Sequence, residues 1–83
     1  ASVSSDAWVA AQVAISAAES ARNDSVSALA SLDTLFIERS NAVADGSEKG
    51  GVADIDAARA SVLSMVDSQN DRIDALKNRL PQP

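Results

Sequence analysis

The sequence predicts an all-α fold in which two helices form an antiparallel hairpin with coiled-coil packing, and it favours oligomers of that hairpin. Apolar residues recur every seven positions along two long segments, the spacing of a left-handed coiled coil. Alanine, the best helix former, accounts for 17 of the 83 residues. All three glycines fall between residues 46 and 51, where the chain can reverse. We therefore treat residues 1–83 as one helical domain.

The first helix is predicted at about residues 4–45. Ser4 is a suitable N-cap, and Asp6 stands in the first turn, where the helix dipole favours an acid. Gly46 can end the helix in the left-handed conformation. Residues 46–52 are therefore predicted to form the turn.

The second helix is predicted at about residues 54–80. Asp54 is placed to cap its first turn with a side-chain oxygen. Pro81 is expected to end it, because proline cannot continue a helix.

A three-helix bundle is the alternative fold. Residues 22–25 contain side chains of the helix-capping type, so a break near residues 23–25 would divide the first helix. However, the row of residues that begins at Trp8 keeps its seven-residue spacing through this stretch to Val43. A loop would have no reason to preserve that spacing, so we favour the continuous helix.

Two rows of residues in each helix predict the seam along which the helices meet. They occupy the a and d positions of a heptad, which alternate at spacings of three and four residues. The predicted core seam consists of Leu29, Leu32, Phe36, Val43, Ile55, Val62, Val66, Ile73, Leu76 and Leu80. Polar residues at the same positions form a polar seam, which consists of Arg22, Arg39, Arg59 and Gln69.

The antiparallel register is predicted by matching large side chains with small or medium ones across the seam. Facing residues whose numbers sum to 98 satisfy this condition, for example Phe36 beside Val62. Arg39 and Arg59 then fall in one layer.

The arginine stems are expected to pack while their guanidinium groups reach neighbouring acids, Arg39 towards Glu38 and Arg59 towards Asp56. The alternative is a functional one, in which the polar seam sets the register or the oligomeric state, or binds an anion or an acidic partner.

The helices differ in length, which predicts a helical overhang at residues 4–15. At 1.5 Å per residue the first spans roughly 60 Å and the second roughly 40 Å. An isolated overhang would fray in water, and apolar residues outside the seam add further surface for contact. The predicted protein-interface residues are Trp8, Val9, Ala11, Val13, Ile15, Ile37 and Leu63. Expected partners are other copies of the chain, a larger protein assembly, or both.

Composition argues against several functional classes. The chain contains neither histidine nor cysteine, the residues that most often act as general base, nucleophile or zinc ligand. We therefore expect no catalytic residues, no metal and no cofactor. A net charge of −5 and only two aromatic residues argue against nucleic-acid binding. The apolar stretch at residues 7–18 is mostly alanine and too weak for a transmembrane segment or a secretion signal.

Residues 10–23, with the sequence AAQVAISAAESARN, resemble the alanine- and serine-rich coiled-coil segments of bacteriophage tail fibres. The resemblance implies a non-enzymatic structural protein of the virion, such as a fibre, connector or capsid-associated component. Residues after Gly46 do not share it. The alternative is a soluble bacterial adaptor or inhibitor that acts by binding another protein. The expected location is accordingly the virion or the bacterial cytoplasm.

Overall fold

The computed structural model describes residues 5–79 and contains two α-helices, α1 (Ser5–Ala44) and α2 (Ala53–Asn78). The helices pack against each other, so the predicted all-α helical hairpin is confirmed. The helix ends that flank the turn lie within one residue of their predicted positions. Three residues named in the predictions lie outside the described part of the chain: Ser4, Leu80 and Pro81.

α1 continues without interruption through residues 22–25, so the three-helix alternative is wrong. Polar side chains in this stretch make bonds that are compatible with a helix. Arg22 donates from Nη1 to Asn70 Oδ1 of α2 and from Nε to Asn23 Oδ1, each at 2.8 Å. Ser25 Oγ donates to the carbonyl of Ala21, one turn earlier, at 3.2 Å. None of these bonds caps a new helix.

α2 begins one residue earlier than predicted, and the prediction that Asp54 caps it is wrong. Val52 occupies the N-cap position and supplies no side-chain hydrogen bond. Asp54 instead lies in the first turn, where the helix dipole favours an acid. Its Oδ1 lies 3.4 Å from Nη1 of Arg39, so this ion pair links the start of α2 to α1.

Gly46 ends α1 in the left-handed conformation, with φ of +83°, which glycine adopts without a steric cost. Its amide donates to the carbonyl of Val43 at 3.2 Å. The hydroxyl of Ser47 donates to the Asp45 carboxylate, and the Ser47 amide donates to Asp45 Oδ1 at 2.9 Å. These two bonds hold the pKa of Asp45 below its usual value.

The loop runs back along the last turns of α1. The amide of Glu48 donates to the carbonyl of Ala42 at 3.1 Å, and Arg39 Nη1 donates to the carbonyl of Gly51 at 3.1 Å. α2 therefore begins beside residues that precede the C-terminus of α1 by more than one turn. At the turn, the last residues of α1 therefore extend past the first residues of α2.

Inward-facing positions recur at the predicted heptad spacing in both helices. Within residues 5–79, four apolar side chains are buried, namely Ile15, Ile55, Val66 and Ile73. The remaining described apolar residues of the seam are half-buried, apart from Val43: Leu29, Leu32, Phe36, Val62 and Leu76. Because two helices can enclose only one line of contact, this core is narrow, and most of the surface of each helix faces outward.

The register of the helices differs from the predicted one by one heptad. The bond from Arg22 to Asn70 places Arg22 opposite Gln69. Ser25 Oγ lies 3.6 Å from Met65 Sδ, which places Ser25 opposite Val66. The ion pair between Asp33 and Arg59 places Leu32 opposite Arg59. Residue numbers in these three facing pairs sum to 91 rather than 98, a shift of seven.

A shift of seven residues preserves the heptad pattern but changes which polar residues meet. In the predicted register, Arg39 and Arg59 would bring two positive charges together in a partly desolvated layer, an arrangement that is repulsive. In the structure, Arg59 faces Leu32 and Arg39 faces the loop. The shift also places Val43 opposite the loop and leaves it 39% exposed. Its assignment to the core seam is therefore wrong.

The narrow seam gives a direct test of the packing. Ile73→Ala is expected to lower the free energy of unfolding by about 2–5 kcal/mol, because Ile73 is 3% exposed and its truncation leaves a cavity. The matched control, Ile37→Ala, removes the same atoms from a side chain that is 60% exposed, and it is expected to cost less than about 1 kcal/mol. Urea denaturation of dilute protein, followed by circular dichroism, measures both. Equal losses would contradict the packing.

Candidate functional site

Arg59 forms the most connected cluster of side chains in the described part of the chain. Its Nε lies 2.7 Å from Asp33 Oδ1, and its Nη1 lies 3.6 Å from Asp56 Oδ1. Its guanidinium carbon lies 4.8 Å from the centroid of the Phe36 ring, a cation–π contact. The predicted contact with Asp56 is thus present, but the shorter bond is to Asp33 across the helix pair. Asp33 and Phe36 therefore link Arg59 to α1, whereas Asp56 pairs with Arg59 within α2.

Arg39 makes a second link, between α1 and the start of α2. It reaches the carbonyl of Gly51 and the carboxylate of Asp54, and not Glu38 as predicted. In an α-helix, adjacent residues such as 38 and 39 point in directions about 100° apart. The inward-facing Arg39 therefore meets groups on the opposite helix and the loop.

Arg22 and Gln69 form a polar layer in the seam. Arg22 bonds to Asn70 and Asn23, whereas the buried Oε1 of Gln69 has no hydrogen-bond partner among the described residues. A buried acceptor without a partner is unfavourable compared with an apolar side chain of the same shape. This layer is therefore less favourable for stability than an apolar layer of the same shape.

The predicted protein-interface residues divide between the surface and the seam. Trp8, Val9, Val13, Ile37 and Leu63 are exposed. Ala11 is half-buried, and Ile15 is only 5% exposed. Lys77 Nζ of α2 lies 3.5 Å from Glu19 Oε2, which shows that α2 extends close to Ile15. The placement of Ile15 at an interface and in an overhang is therefore wrong, and the described overhang ends before it.

The N-terminal part of α1 presents a shallow apolar groove. Its lining combines apolar side chains with small polar ones: Trp8, Val9, Gln12, Val13, Ser16, Ala17 and Ser20. We call this surface the arm groove. Trp8, Val9 and Val13 keep much of their apolar area in contact with solvent, and the groove runs from the start of α1 to residues that lie beside the last turns of α2.

A second apolar surface was missed by the predicted interface set. In each helix it is formed by the residues that immediately precede one row of the seam, the row that contains Ile15 in α1 and the row that contains Ile73 in α2. We call this surface the alanine face, and it consists of Ala14, Ala21, Ala28 and Leu35 of α1 with Ala58, Met65 and Arg72 of α2. Leu35 and Met65 are 49% and 52% exposed. The sequence contained a signal for it, because four of these seven residues are alanines at heptad spacing.

The structure carries no arrangement typical of a metal or membrane site within residues 5–79. In that range, no three acidic side chains come together in a way that could hold a metal ion. Neither α1 nor α2 is both long and apolar enough to cross a membrane. The described surface offers exposed apolar side chains and charged groups, some of which pair across the two helices.

Comparisons with protein-family models, with curated protein sequences and with solved structures found no match to this chain.

The Arg59 cluster predicts the behaviour of two variants. In the register whose facing residue numbers sum to 98, Arg59 would be repelled by Arg39. Arg59→Leu removes this repulsion, so both that register and the observed one become accessible. We expect its amide correlation spectrum to show two sets of signals, with helix content retained. Arg59→Lys keeps the charge and is expected to show one set. A single set for Arg59→Leu, with the contacts of the wild type, would contradict the role of Arg59 in setting the register.

Proposed function

We propose that this chain is a non-enzymatic structural protein of a bacteriophage virion, which associates with further copies of itself and docks onto a larger protein assembly through its helical surfaces. The observation that carries the proposal is the amount of surface that the hairpin leaves exposed.

The exposed surface is large for a chain of this mass. The accessible area is 5723 Å² for 8.5 kDa, whereas a compact monomer of that mass exposes about 4,650 Å². The radius of gyration is 19.3 Å, against about 12 Å for a compact domain of this length. An elongated hairpin with a narrow core has little free energy to spare. Burial of further apolar area against a partner would stabilise it.

The chemistry of the surface also favours a contact function. Several charged groups in or beside the seam pair with one another, as Asp33 and Asp56 do with Arg59. The lowered pKa of the Asp45 carboxyl has a local cause, the turn that Ser47 closes. These groups serve the hairpin itself, and apolar area makes up the rest of the distinctive surface.

The arm groove is the proposed point of contact with the larger assembly. It combines the single tryptophan of the chain with two exposed valines, Val9 and Val13. Tryptophan is enriched at the centres of protein interfaces, because it buries a large area for a small loss of conformational entropy. Residues 10–23, which carry the resemblance to phage fibre segments, lie in the same part of α1.

A bacterial adaptor or inhibitor is the second candidate function. Asp67, Asp71 and Asp74 lie exposed along α2, and none of them forms an ion pair within residues 5–79. Such a stripe would suit a partner with a basic surface, whose charges it would attract over a distance of about 8 Å at physiological ionic strength.

Purified particles of the phage that encodes the chain test the proposed function. The wild-type chain is expected in fixed copy number by quantitative mass spectrometry. Trp8→Ala is expected to lower that copy number several-fold, because it removes the largest side chain of the arm groove. Val43→Ala is the control, since Val43 is exposed to nearly the same degree, 39% against 37% for Trp8, at the other end of α1.

Absence of the wild-type chain from washed particles would contradict the virion assignment and favour the adaptor. Equal incorporation of the two variants would contradict docking through the arm groove.

A further inference from the structure

The two broad faces of the hairpin differ in how their charges are satisfied. On one face, Glu19 pairs with Lys77 and Asp33 pairs with Arg59, so opposite charges of α1 and α2 form ion pairs with each other. The alanine face lies on the other side. Met65 contacts Ser25 there, and Ala21 and Ala28 lie one turn before and after Ser25 on the same side of α1.

The alanine face has the composition of a buried helix surface. Between residues 14 and 35, every seventh residue of α1 is alanine except Leu35, so the row carries no charge over four successive heptad positions. Apolar residues at a, d and g together form the wider stripe of a helix that packs inside a bundle. Leu35 and Met65 nevertheless remain half-exposed to solvent. Two helices alone leave this stripe without a partner.

We propose that the alanine face binds a second copy of this chain, with the two-fold axis parallel to the helices, so that two hairpins form an antiparallel four-helix bundle. The inference rests on the proposed function, whose self-association it makes specific. Each α1 then lies against α2 of the other copy at the same height along the bundle.

Side-chain sizes across this contact are complementary. In the observed register, Leu35 of one copy meets Ala58 of the other, and Met65 meets Ala28. Each layer therefore combines one large side chain with one small one, as interdigitating packing requires. A two-fold axis perpendicular to the helices would instead place Met65 against its own copy and α1 against α1.

The charges at the rim favour the same arrangement. Asp24 of α1 borders the alanine face and Arg72 is its charged member on α2, and neither forms an ion pair with another residue in the described part of the hairpin. With the axis parallel to the helices, Asp24 lies near Arg72 of the other copy. The perpendicular axis would bring the acidic rim of α1, with Asp24 and Glu38, against the same acids.

The area of the contact matches what a stable dimer needs. The alanine face runs from Ala14 to Leu35, about 32 Å at 1.5 Å per residue, and is two helices or roughly 20 Å wide. It therefore offers roughly 640 Å² per chain, which lies within the roughly 600–1,000 Å² that each partner contributes to a specific interface. The hairpin, with an accessible area of 5723 Å², exposes roughly 1,070 Å² more than a compact monomer of its mass, so burial of the face would remove more than half of the excess.

Sedimentation equilibrium with a matched pair of variants tests the proposal. Wild-type protein is expected at twice the chain mass of 8.5 kDa. Ala28→Glu places a charge in the middle of the face and is expected to weaken dimerisation at least about 100-fold. Ser27→Glu adds the same charge at the adjacent exposed position, directed away from the seam, and is expected to change it less than about threefold.

A charge exchange tests the orientation in folded protein. Asp24→Arg and Arg72→Asp are each expected to weaken dimerisation about tenfold, because each creates repulsion at two symmetric places. The double variant is expected to recover to within about threefold of wild type. Circular dichroism of every variant shows whether the helices are retained.

Three results would overturn the inference. Equal association of Ala28→Glu and Ser27→Glu, in a protein that does associate, places the contact on another face and leaves self-association intact. Failure of the double exchange to recover rules out the parallel axis. A wild-type monomer at all concentrations up to the millimolar range contradicts both this dimer and the self-association in the proposed function.

Discussion

The ion pair between Arg59 and Asp33 forms in the observed alignment of the two helices and not in the one shifted by a heptad, and the rest of the hairpin depends on that alignment. A heptad repeat is compatible with any antiparallel register that differs by seven residues, because each such shift returns apolar positions to apolar positions. Polar residues break this degeneracy. The observed register gives Arg59 the carboxylate of Asp33 and the face of Phe36, whereas the shifted one would oppose Arg59 with Arg39.

The asymmetry of the molecule follows from the chosen register. The start of α2 is placed beside residues before the end of α1, so the loop must return along the last turns of α1, where Ala42 accepts a bond from Glu48. At the other end, α2 reaches far enough to bury Ile15. In the described part of the chain, the first turns of α1 extend beyond the end of α2. The arm groove and the alanine face are the surfaces that this arrangement leaves without partners.

The helices and the residues of the seam could be predicted from the sequence, because both depend on periodicity within one chain segment. The register could not, since side-chain volumes are almost equally well matched at sums of 98 and 91. The errors at Val43 and Ile15 both result from that one shift of seven. Asp54 was misassigned because its carboxylate meets Arg39 across the turn, a contact that helix-capping rules do not consider. The alanine face was missed because alanines outside a seam are usually solvent-exposed.

Nuclear Overhauser contacts of the Phe36 ring test the register most directly, since Phe36 is the only phenylalanine of the chain. The structure places the guanidinium of Arg59 4.8 Å from the centre of that ring, so cross-peaks to the Arg59 side chain are predicted. In the register shifted by one heptad, Val66 would take the place of Arg59. Cross-peaks from the ring to the methyl groups of Val66, with none to Arg59, would contradict the proposed basis of the fold.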